Sequence, residues 1–391
     1  MRVTVPDYFD KFHCLAGACP HTCCEKWEVV IDEESAAFYQ TVPGALGEKL
    51  RGALRVDEDG DFCFPLDGGR CPFLDGDNLC EIHRKLGEDA TSVTCREHPR
   101  FTEDYGSFRE ITLSASCPAA NALLLGSEEP LTFRTFETEE AEEEGDEWLQ
   151  YLLPLRARLL DILRDRRLPL RRRLRDFLLL AQEAQLYLED EREAELPALA
   201  ASWTPPETAG EGGESLLFPG ALGFLATLEV LDPDWRDLLR QAETAEPGAA
   251  PENLMERIAV YFAFRYLLKA VNDGDLLGRA ELCVFSLLTV ERLAAVCEGL
   301  PSRPSETVVM GKGDARKRRE GAPKGGSDRS GLKVNCPAGA REAPLGDCVD
   351  EALRRFSCEI EHDDGNLEAL LEAFCREETL SVRAFLAELG R

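Results

Sequence analysis

The sequence lacks a long apolar run, and this absence excludes a membrane-spanning protein as the first hypothesis. Its longest uncharged stretch of interest, residues 216–228, has about 13 residues and contains Pro219 and Gly220, whereas a bilayer span needs about 20. The first residues, MRVTVPDYFDKF, also lack the apolar segment of a signal peptide. We therefore expect a cytoplasmic protein that does not contact a membrane.

Positive charge is scarce as well. The 391 residues include 45 Lys and Arg against 74 Asp and Glu, for a formal net charge of −29. Such a surface repels phosphate backbones and anionic lipids, so a nucleic-acid-binding protein is not expected. Hydrophobic residues make up 44% of the chain, which is enough to bury an ordinary core.

Cysteine, by contrast, is abundant and unevenly placed. Nine of the 15 cysteines precede residue 118, and none lies between residues 118 and 282. Because the number is odd, they cannot all pair within one chain. In a reducing compartment, clustered cysteines are more often metal ligands or redox groups than disulfides. The first third of the chain is therefore a separate unit by composition.

The pattern of apolar residues predicts a mainly α fold. A turn-rich, cysteine-rich and metal-stabilised N-terminal unit, with short strands near Val3 and Ile111 and little other regular structure, is expected to pack on an α-helical body. The nine arginines between residues 156 and 175 are expected on a helix surface, paired with the acidic linker. The predicted boundaries are 1–126 for the cysteine-rich unit, 127–147 for the linker, 148–301 for the helical body, 302–346 for a disordered insertion and 347–391 for a C-terminal helical segment.

The spacing of eight cysteines predicts a metal centre. Thiolates are soft ligands that suit zinc or iron–sulfur clusters, and four of them close a [4Fe–4S] site. Eight ligands allow one cluster with spares or two clusters, and a zinc-stapled fold or free thiols stay possible. Cys63, between two phenylalanines, is expected in the core. The predicted metal ligands are Cys14, Cys19, Cys23, Cys24, Cys71, Cys80, Cys95 and Cys117.

Several segments resemble the flagellin lysine-N-methylases, the FliB family. The N-terminal matches are VPDYFDKFHCLAGACPHTCCEKWEVVIDEE, GRCPFLDGDNLCEIHRKLGEDATSVTCREHPRFTEDYG and LSASCP. The C-terminal matches are YFAFRYLLKAVNDGDLLGR and FSCEIEHDDGNLEALLEAF. The N-terminal pattern is shared with a wider group of YkgJ-like cysteine-cluster proteins, whereas the C-terminal segments favour the methylases. The sequence departs from the family pattern at His83, His98, Asn272 and Cys358, and in the 302–346 insertion.

The resemblance implies methylation of lysine ε-amines on flagellin, with S-adenosylmethionine as methyl donor and a [4Fe–4S] cluster on the cysteines. A protonated lysine, with a pKa near 10.4, is no nucleophile, so such an enzyme must desolvate the amine or supply a base. Carboxylates and aromatic rings would stabilise the cationic donor. The catalytic candidates in the matching segments are Glu359, Glu361, His362 and Asp273, and the cofactor-binding candidates are Tyr8, Arg100 and Arg265. Glu359 and Glu361 have an alternative role as helix caps or as partners of Arg265.

Two signatures of familiar methyltransferases are missing. The sequence contains no glycine-rich adenosylmethionine fingerprint of a doubly wound sheet. It also contains no C-x3-C-x2-C triplet of radical enzymes, because position 26 is Lys. Direct displacement by the lysine nitrogen and radical chemistry therefore both stay open. A non-enzymatic zinc or iron–sulfur module, such as a metal carrier, is the alternative class. The acceptor lysines and the oligomeric state are not predicted.

Overall fold

The computed structural model describes residues 1–27, 29–57, 60–206, 217–245, 250–297 and 345–390. This part of the chain contains seven strands in two small sheets, and helices form most of the rest, as predicted for a mainly α protein. The strands are β1 (Arg2–Pro6), β2 (Val29–Ile31), β3 (Arg55–Val56), β4 (Phe62–Phe64), β5 (Arg100–Asp104), β6 (Phe108–Leu113) and β7 (Phe133–Glu137).

The larger sheet has the strand order β5-β6-β1-β7. Strand β1 is parallel to β6 and antiparallel to β7. The strands predicted near Val3 and Ile111 are thus present as β1 and β6. Strand β7 falls inside segment 127–147, which the composition indicated as a linker; the phenylalanines of β7 have a backbone partner in β1, so this part of the segment belongs to the sheet.

The smaller sheet has the order β2-β4-β3 and covers a small core of ten buried apolar residues, among them Tyr39, Leu50, Phe64 and Phe73. The N-terminal unit is more regular than its turn-rich composition predicts, because local caps begin its helices. Asp32 accepts the N–H of Ser35 at 2.8 Å, and Ser92 accepts that of Cys95 at 3.3 Å. The helices of this unit are α1 (Glu33–Thr41), α2 (Gly44–Ala53), α3 (Glu81–Leu86), α4 (Val93–Glu97) and α5 (Pro118–Leu125).

The helical body surrounds a large core. Residues of the larger sheet and of α5 also pack into this core. Prolines precede two of its helices: Pro169 precedes α7, and Pro251 precedes α11. The body comprises α6 (Leu149–Arg164), α7 (Leu170–Glu189), α8 (Leu196–Ser202), α9 (Leu217–Leu225), α10 (Asp234–Thr244), α11 (Glu252–Tyr266), α12 (Leu276–Ala294), α13 (Leu345–Phe356), α14 (Asp364–Arg376) and α15 (Val382–Leu389). None of the helices in the described ranges has the length and apolar character needed to cross a membrane.

Helices α11 and α12 lie at the centre of the large core and are buried on nearly all sides. A π-helical turn, Ser357–Glu361, follows α13 and carries the predicted Glu359 and Glu361. The predicted insertion 302–346 falls outside the described residues except for its last two positions, where α13 begins.

We expected the arginines of α6 and α7 to form ion pairs with the acidic linker, but two of them pair with carboxylates of other elements. Arg156 is buried and makes a bidentate pair with Glu110 of β6, at 2.6 and 2.5 Å. Arg173 pairs with Glu256 of α11 at 2.6 Å. The helices present these side chains to the core, where buried carboxylates from other elements neutralise them.

Candidate functional site

A cavity of about 450 Å3 lies where the cysteine-rich unit meets the helical body. The body contributes Trp235 of α10, Arg354 of α13 and Glu359 of the π-helical turn to its wall. Seven of the eight predicted ligand cysteines line it: Cys14, Cys19, Cys23, Cys24, Cys80, Cys95 and Cys117. The eighth, Cys71, lies next to Cys24, because its N–H donates to the Cys24 carbonyl at 2.8 Å.

The loop before β2 positions the first four cysteines. A short 3-10 turn, Ala16–Ala18, separates Cys14 from Cys19. The Cys14 Sγ accepts the N–H of Ala16 at 3.4 Å, and the Cys19 Sγ donates to the His21 carbonyl at 3.1 Å. The side chains of Cys23 and Cys24 hydrogen-bond to each other, which lowers the pKa of Cys24 to about 7 and raises that of Cys23. Cys24 therefore gives up its proton more readily than Cys23.

The later cysteines lie in turns that offer backbone N–H groups to sulfur. Phe73 donates to Cys71, while Ile82 and His83 donate to Cys80 at the start of α3. At Cys117, Ala119 and Ala120 of α5 are the donors. Burial raises the pKa of the Cys71 thiol to about 11, and its N–H donor opposes that rise. Such donors stabilise a thiolate that binds a metal.

The cysteines around the cavity are soft donors that suit zinc and iron–sulfur clusters alike. Within the described ranges, no three Cys, His, Asp or Glu side chains form a group that could hold one ion. Seven thiols nevertheless line one cavity. The residues present therefore fit a thiolate-bound metal in their chemistry.

Glu359 and Arg100 are the two predicted catalytic or cofactor-binding residues that line the cavity. The Glu359 carboxylate accepts the backbone N–H groups of Leu231 and Asp232, each at 2.9 Å. Burial nevertheless raises the pKa of this carboxyl group above its ordinary value. Arg100, at the start of β5, lies over the Phe12 ring, with 5.5 Å from its guanidinium carbon to the ring centre.

Glu361 points away from the cavity, into a closed polar cluster between β6 and α11. Its carboxylate accepts the hydroxyls of Tyr266 at 2.8 Å and Tyr261 at 3.2 Å, and pairs with Arg265 at 3.1 Å. The side chain of Glu361 has no exposed surface. The sequence offered an ion pair with Arg265 as the alternative role of Glu361, and the structure contains this pair. Arg265 itself also stacks over Phe101, at 3.5 Å from the ring centre.

His362 lies behind the cavity wall rather than in it. Its Nε2 is 2.7 Å from the Ser116 hydroxyl and 3.0 Å from that of Ser114. Its ring stacks on Trp27, with centres 5.2 Å apart. Burial, reinforced by nearby Arg265, lowers the pKa of His362 to about 4, so the imidazole is neutral at pH 7. His362 thus supports Trp27 and the loop that leads to Cys117.

Asp273 and Tyr8 are not part of the cavity wall. Asp273 lies in the turn before α12 and forms an ion pair with Arg279. Tyr8 is buried in the large core, and burial raises the pKa of its hydroxyl. The structure therefore brings the cysteines, Glu359 and Arg100 together and separates them from the other candidates.

The sequence did not point to several residues that shape the site. Trp27 lines the cavity, and Ser114 and Ser116 hold His362. Trp27 directly follows the Cys-Cys-Glu-Lys run, which was the available signal. The two serines, by contrast, occupy an ordinary strand end, and their role depends on a histidine that lies far away in the sequence.

Comparison with curated proteins identifies relatives of part of the chain. A lysine-N-methylase of Salmonella typhimurium is 29% identical over 151 residues, which is 35% of this chain and 38% of that protein. The lysine-N-methylase of Salmonella choleraesuis matches equally. The flagellar biosynthetic protein FliU of Salmonella muenchen is 29% identical over 131 residues, 32% of this chain and 78% of that protein.

These matches confirm the resemblance to the flagellin lysine-N-methylases over about a third of the chain. The chain spans about 38% of the length of the curated lysine-N-methylases that it matches. No protein-family model matches the chain, and no solved structure matches it significantly.

Proposed function

We propose that this protein is a lysine N-methyltransferase that transfers a methyl group from S-adenosylmethionine to lysine side chains of flagellin. The observation that carries the proposal is the cavity itself. It combines thiols, a buried carboxylate and an indole ring in a chain related to lysine-N-methylases. The flagellar name of a third relative supports flagellin as the substrate class.

The chemistry of the cavity suits two cationic substrates. A sulfonium and a lysine ammonium are both attracted by the carboxylate of Glu359 and by the ring of Trp27. The raised pKa of Glu359 makes it a better proton acceptor than an ordinary carboxylate. The lysine ammonium first gives a proton to Glu359 or to water, because only the free amine has a lone pair for attack. The amine nitrogen then forms the new N–C bond as the C–S bond of the sulfonium breaks, and the thioether leaves.

The cysteines are proposed to hold an iron–sulfur cluster beside this carboxylate. When bound, such a cluster supplies a redox-active or Lewis-acidic iron site. The chain's own part is to place the sulfur donors and Glu359 in the wall of one cavity. Arg100, stacked on Phe12, adds a positive charge that offsets the negative charge of a thiolate-bound cluster.

The test is a methylation assay with purified flagellin. Anaerobically purified protein is incubated with flagellin and S-adenosylmethionine, and methyllysine is measured by mass spectrometry. Glu359→Gln removes the proton acceptor, so we expect kcat to fall by about 100-fold or more. The matched control is Glu372→Gln, which changes an exposed carboxylate of α14 that pairs with Arg376 and should keep the wild-type rate.

Each outcome has a defined meaning. Circular dichroism of Glu359→Gln first verifies that the fold is intact, since its carboxylate accepts two backbone N–H groups. If folded Glu359→Gln protein methylates flagellin at the wild-type rate, Glu359 has no role in catalysis. Metal-loaded wild-type protein that yields no methyllysine would contradict the enzyme proposal and favour a non-enzymatic iron–sulfur module.

A further inference from the structure

Lys26 is the one lysine, among the residues that the structure describes, that lines the cavity. Its Nζ forms an ion pair with the carboxylate of Asp232, which lies 206 residues later in the sequence. The loop before β2 thus places a primary ammonium against the helical body. A lysine side chain of the protein itself therefore occupies part of a cavity that is proposed to receive a lysine of another protein.

The backbone at Lys26 is held in a conformation that lysine rarely adopts. Its φ angle is +79°, in the left-handed region. The Lys26 N–H donates to the Gly69 carbonyl at 3.0 Å, and the neighbouring Glu25 forms a backbone bridge with Arg70. These contacts keep the strained backbone in place, and strain of this kind is concentrated at ligand-binding sites and switch regions. The position of the Lys26 side chain is therefore set by the loop that carries it.

Asp232 uses one carboxylate oxygen for the fold and the other for a cation. Its Oδ1 accepts the N–H of Asp234 at 3.1 Å, at the start of α10. Its Oδ2 accepts the Lys26 ammonium. Glu359, by contrast, has both carboxylate oxygens on backbone N–H groups. The wall of the cavity therefore contains a carboxylate oxygen whose partner is a flexible ammonium.

The ion pair between Lys26 and Asp232 is open to exchange. The Lys26 side chain is 54% exposed and that of Asp232 is 25% exposed. Ion pairs in contact with solvent contribute little to stability, because water solvates both charges when they separate. The Lys26 ammonium also sits on a flexible four-carbon stem, so it can leave Asp232 for solvent. Another ammonium that enters the cavity can then take its place on the Asp232 Oδ2.

An ammonium on Asp232 would lie beside the proposed proton acceptor. The backbone N–H of Asp232 donates to the Glu359 carboxylate at 2.9 Å, so the two residues are in contact. Trp27, which follows Lys26 in the chain, lines the same cavity and offers an aromatic ring to a cation. The geometry therefore allows Asp232 to hold a lysine ammonium while Glu359 accepts its proton.

We infer that Asp232 binds the ammonium of the incoming substrate lysine, and that Lys26 occupies this position in the free protein. The inference rests on the proposed function and goes beyond it by assigning the residue that recognises the charge of the substrate. The ligand class is a primary alkylammonium on a flexible side chain. Binding exchanges one ion pair for another, and no covalent bond forms or breaks. Lys26 therefore lowers the affinity for substrate by competition.

The experiment measures binding of Nα-acetyl-lysine amide to the full-length protein without a methyl donor. The indole N–H signals of protein labelled with 15N-tryptophan report the binding by NMR, since Trp27 and Trp235 line the cavity. Lys26→Met removes the competing ammonium, so we expect about threefold tighter binding, as the loss of an exposed ion pair allows. Asp232→Asn removes the charge but keeps Oδ1 for α10, so we expect about tenfold weaker binding.

Three controls accompany these variants. Lys49→Met is the matched control, because Lys49 forms a similar half-exposed ion pair with Glu81, at 2.7 Å, outside the cavity wall. It should bind the probe like the wild type. Lys26→Arg keeps the positive charge and should also bind like the wild type. Nα-acetyl-norleucine amide has the same four-carbon chain without the ammonium, so it should bind the wild type more weakly than the lysine probe.

An ion pair that merely joins the loop to the body predicts the opposite sign, since Lys26→Met would then loosen the cavity and weaken binding. Unchanged or weaker binding to Lys26→Met, or wild-type binding to Asp232→Asn, would overturn the inference when circular dichroism shows a folded variant. Equal binding of the lysine and norleucine probes to the wild type would overturn it without any variant.

The methylation assay separates this inference from the proposed function. A protein that methylates flagellin, but whose Lys26→Met and Asp232→Asn variants bind the lysine probe like the wild type, overturns the role of Asp232 alone. A protein whose variants bind the probe as expected, but which yields no methyllysine, overturns the enzyme proposal alone.

Discussion

The two glutamates of the Glu-Ile-Glu-His run, Glu359 and Glu361, are both buried but have different surroundings. Glu359 is held by backbone N–H groups at the cavity wall. Glu361 is enclosed by Tyr261, Tyr266 and Arg265. The two-residue separation accounts for this difference, because side chains two positions apart on a helical turn do not face the same way.

Removing the charge of Glu361 should therefore reduce stability. Glu361→Gln leaves the Arg265 guanidinium buried without its carboxylate, and breaking a buried pair in this way costs about 3–5 kcal/mol. Tyr266→Phe removes one hydrogen bond from a cluster that keeps its charges, so a smaller loss of about 1–3 kcal/mol is expected. Urea unfolding followed by circular dichroism measures both. If Glu361→Gln unfolded like the wild type but lost methylation, Glu361 would be a catalytic residue after all.

At the scale of the element, helix α12 carries an acid in the large core. Glu281 is 4% exposed, and burial, helped by the nearby Asp275, raises its pKa to about 8. In the unfolded chain the group titrates near pH 4.5. Between these values the unfolded state loses a proton that the folded state keeps, so the free energy of unfolding falls as pH rises from about 4.5 to about 8.

Glu281→Gln should remove this dependence. The variant carries no titrating group in α12 at this position, so it should be more stable than the wild type above pH 8. The free energies of unfolding of the two proteins should differ there by on the order of 4 kcal/mol, since one pKa unit corresponds to about 1.36 kcal/mol. Urea unfolding at about pH 5 and about pH 9 measures it. Equal pH slopes for the two proteins would mean that Glu281 is ionised in the fold.

The helices of the body were predictable from their apolar spacing, and those of the N-terminal unit were not. Helices α6 and α7 present apolar residues at three- and four-residue spacing, and Pro169 separates them. In α1 and α2, few apolar residues face a core, and caps and tertiary contacts decide the helix. Strand β7 was not predicted, because its partner β1 lies more than 100 residues away in the sequence. The spacing of residues within one segment does not indicate a pairing over such a distance.

The candidate site was also predictable in part. The close spacing of the cysteines in the sequence indicated that they lie together, and seven of the eight line the cavity. Which of the buried charges face the cavity was not predictable. The choice between Glu359 and Glu361 depends on how the π-helical turn meets α10 and α11, which is a tertiary property.

At the scale of the whole molecule, two cores of unequal size share one cavity. Polar contacts join the N-terminal loop to the helical body: Lys26 pairs with Asp232, and His21 approaches Glu351 at 4.0 Å. The small core has ten buried apolar residues, whereas the large core spans the helical body and the first sheet. A core of the smaller size gives little stability by itself. Metal bound on the cysteines would therefore stabilise this unit more than the body.

If the cysteines bind iron as proposed, its removal should loosen the N-terminal unit and leave the helical body intact. After chelation under anaerobic conditions, amide exchange should accelerate in residues 14–27 and 60–97, where most of the ligands lie. Helices α11 and α12, at the centre of the large core, should keep their protection. Hydrogen exchange with mass spectrometry, on loaded and chelated samples of the full chain and of Cys63→Ser as control, measures the difference. Equal loss in α11 and α12 would mean that the metal holds the whole fold, and no change anywhere would mean that the cysteines carry no structural metal.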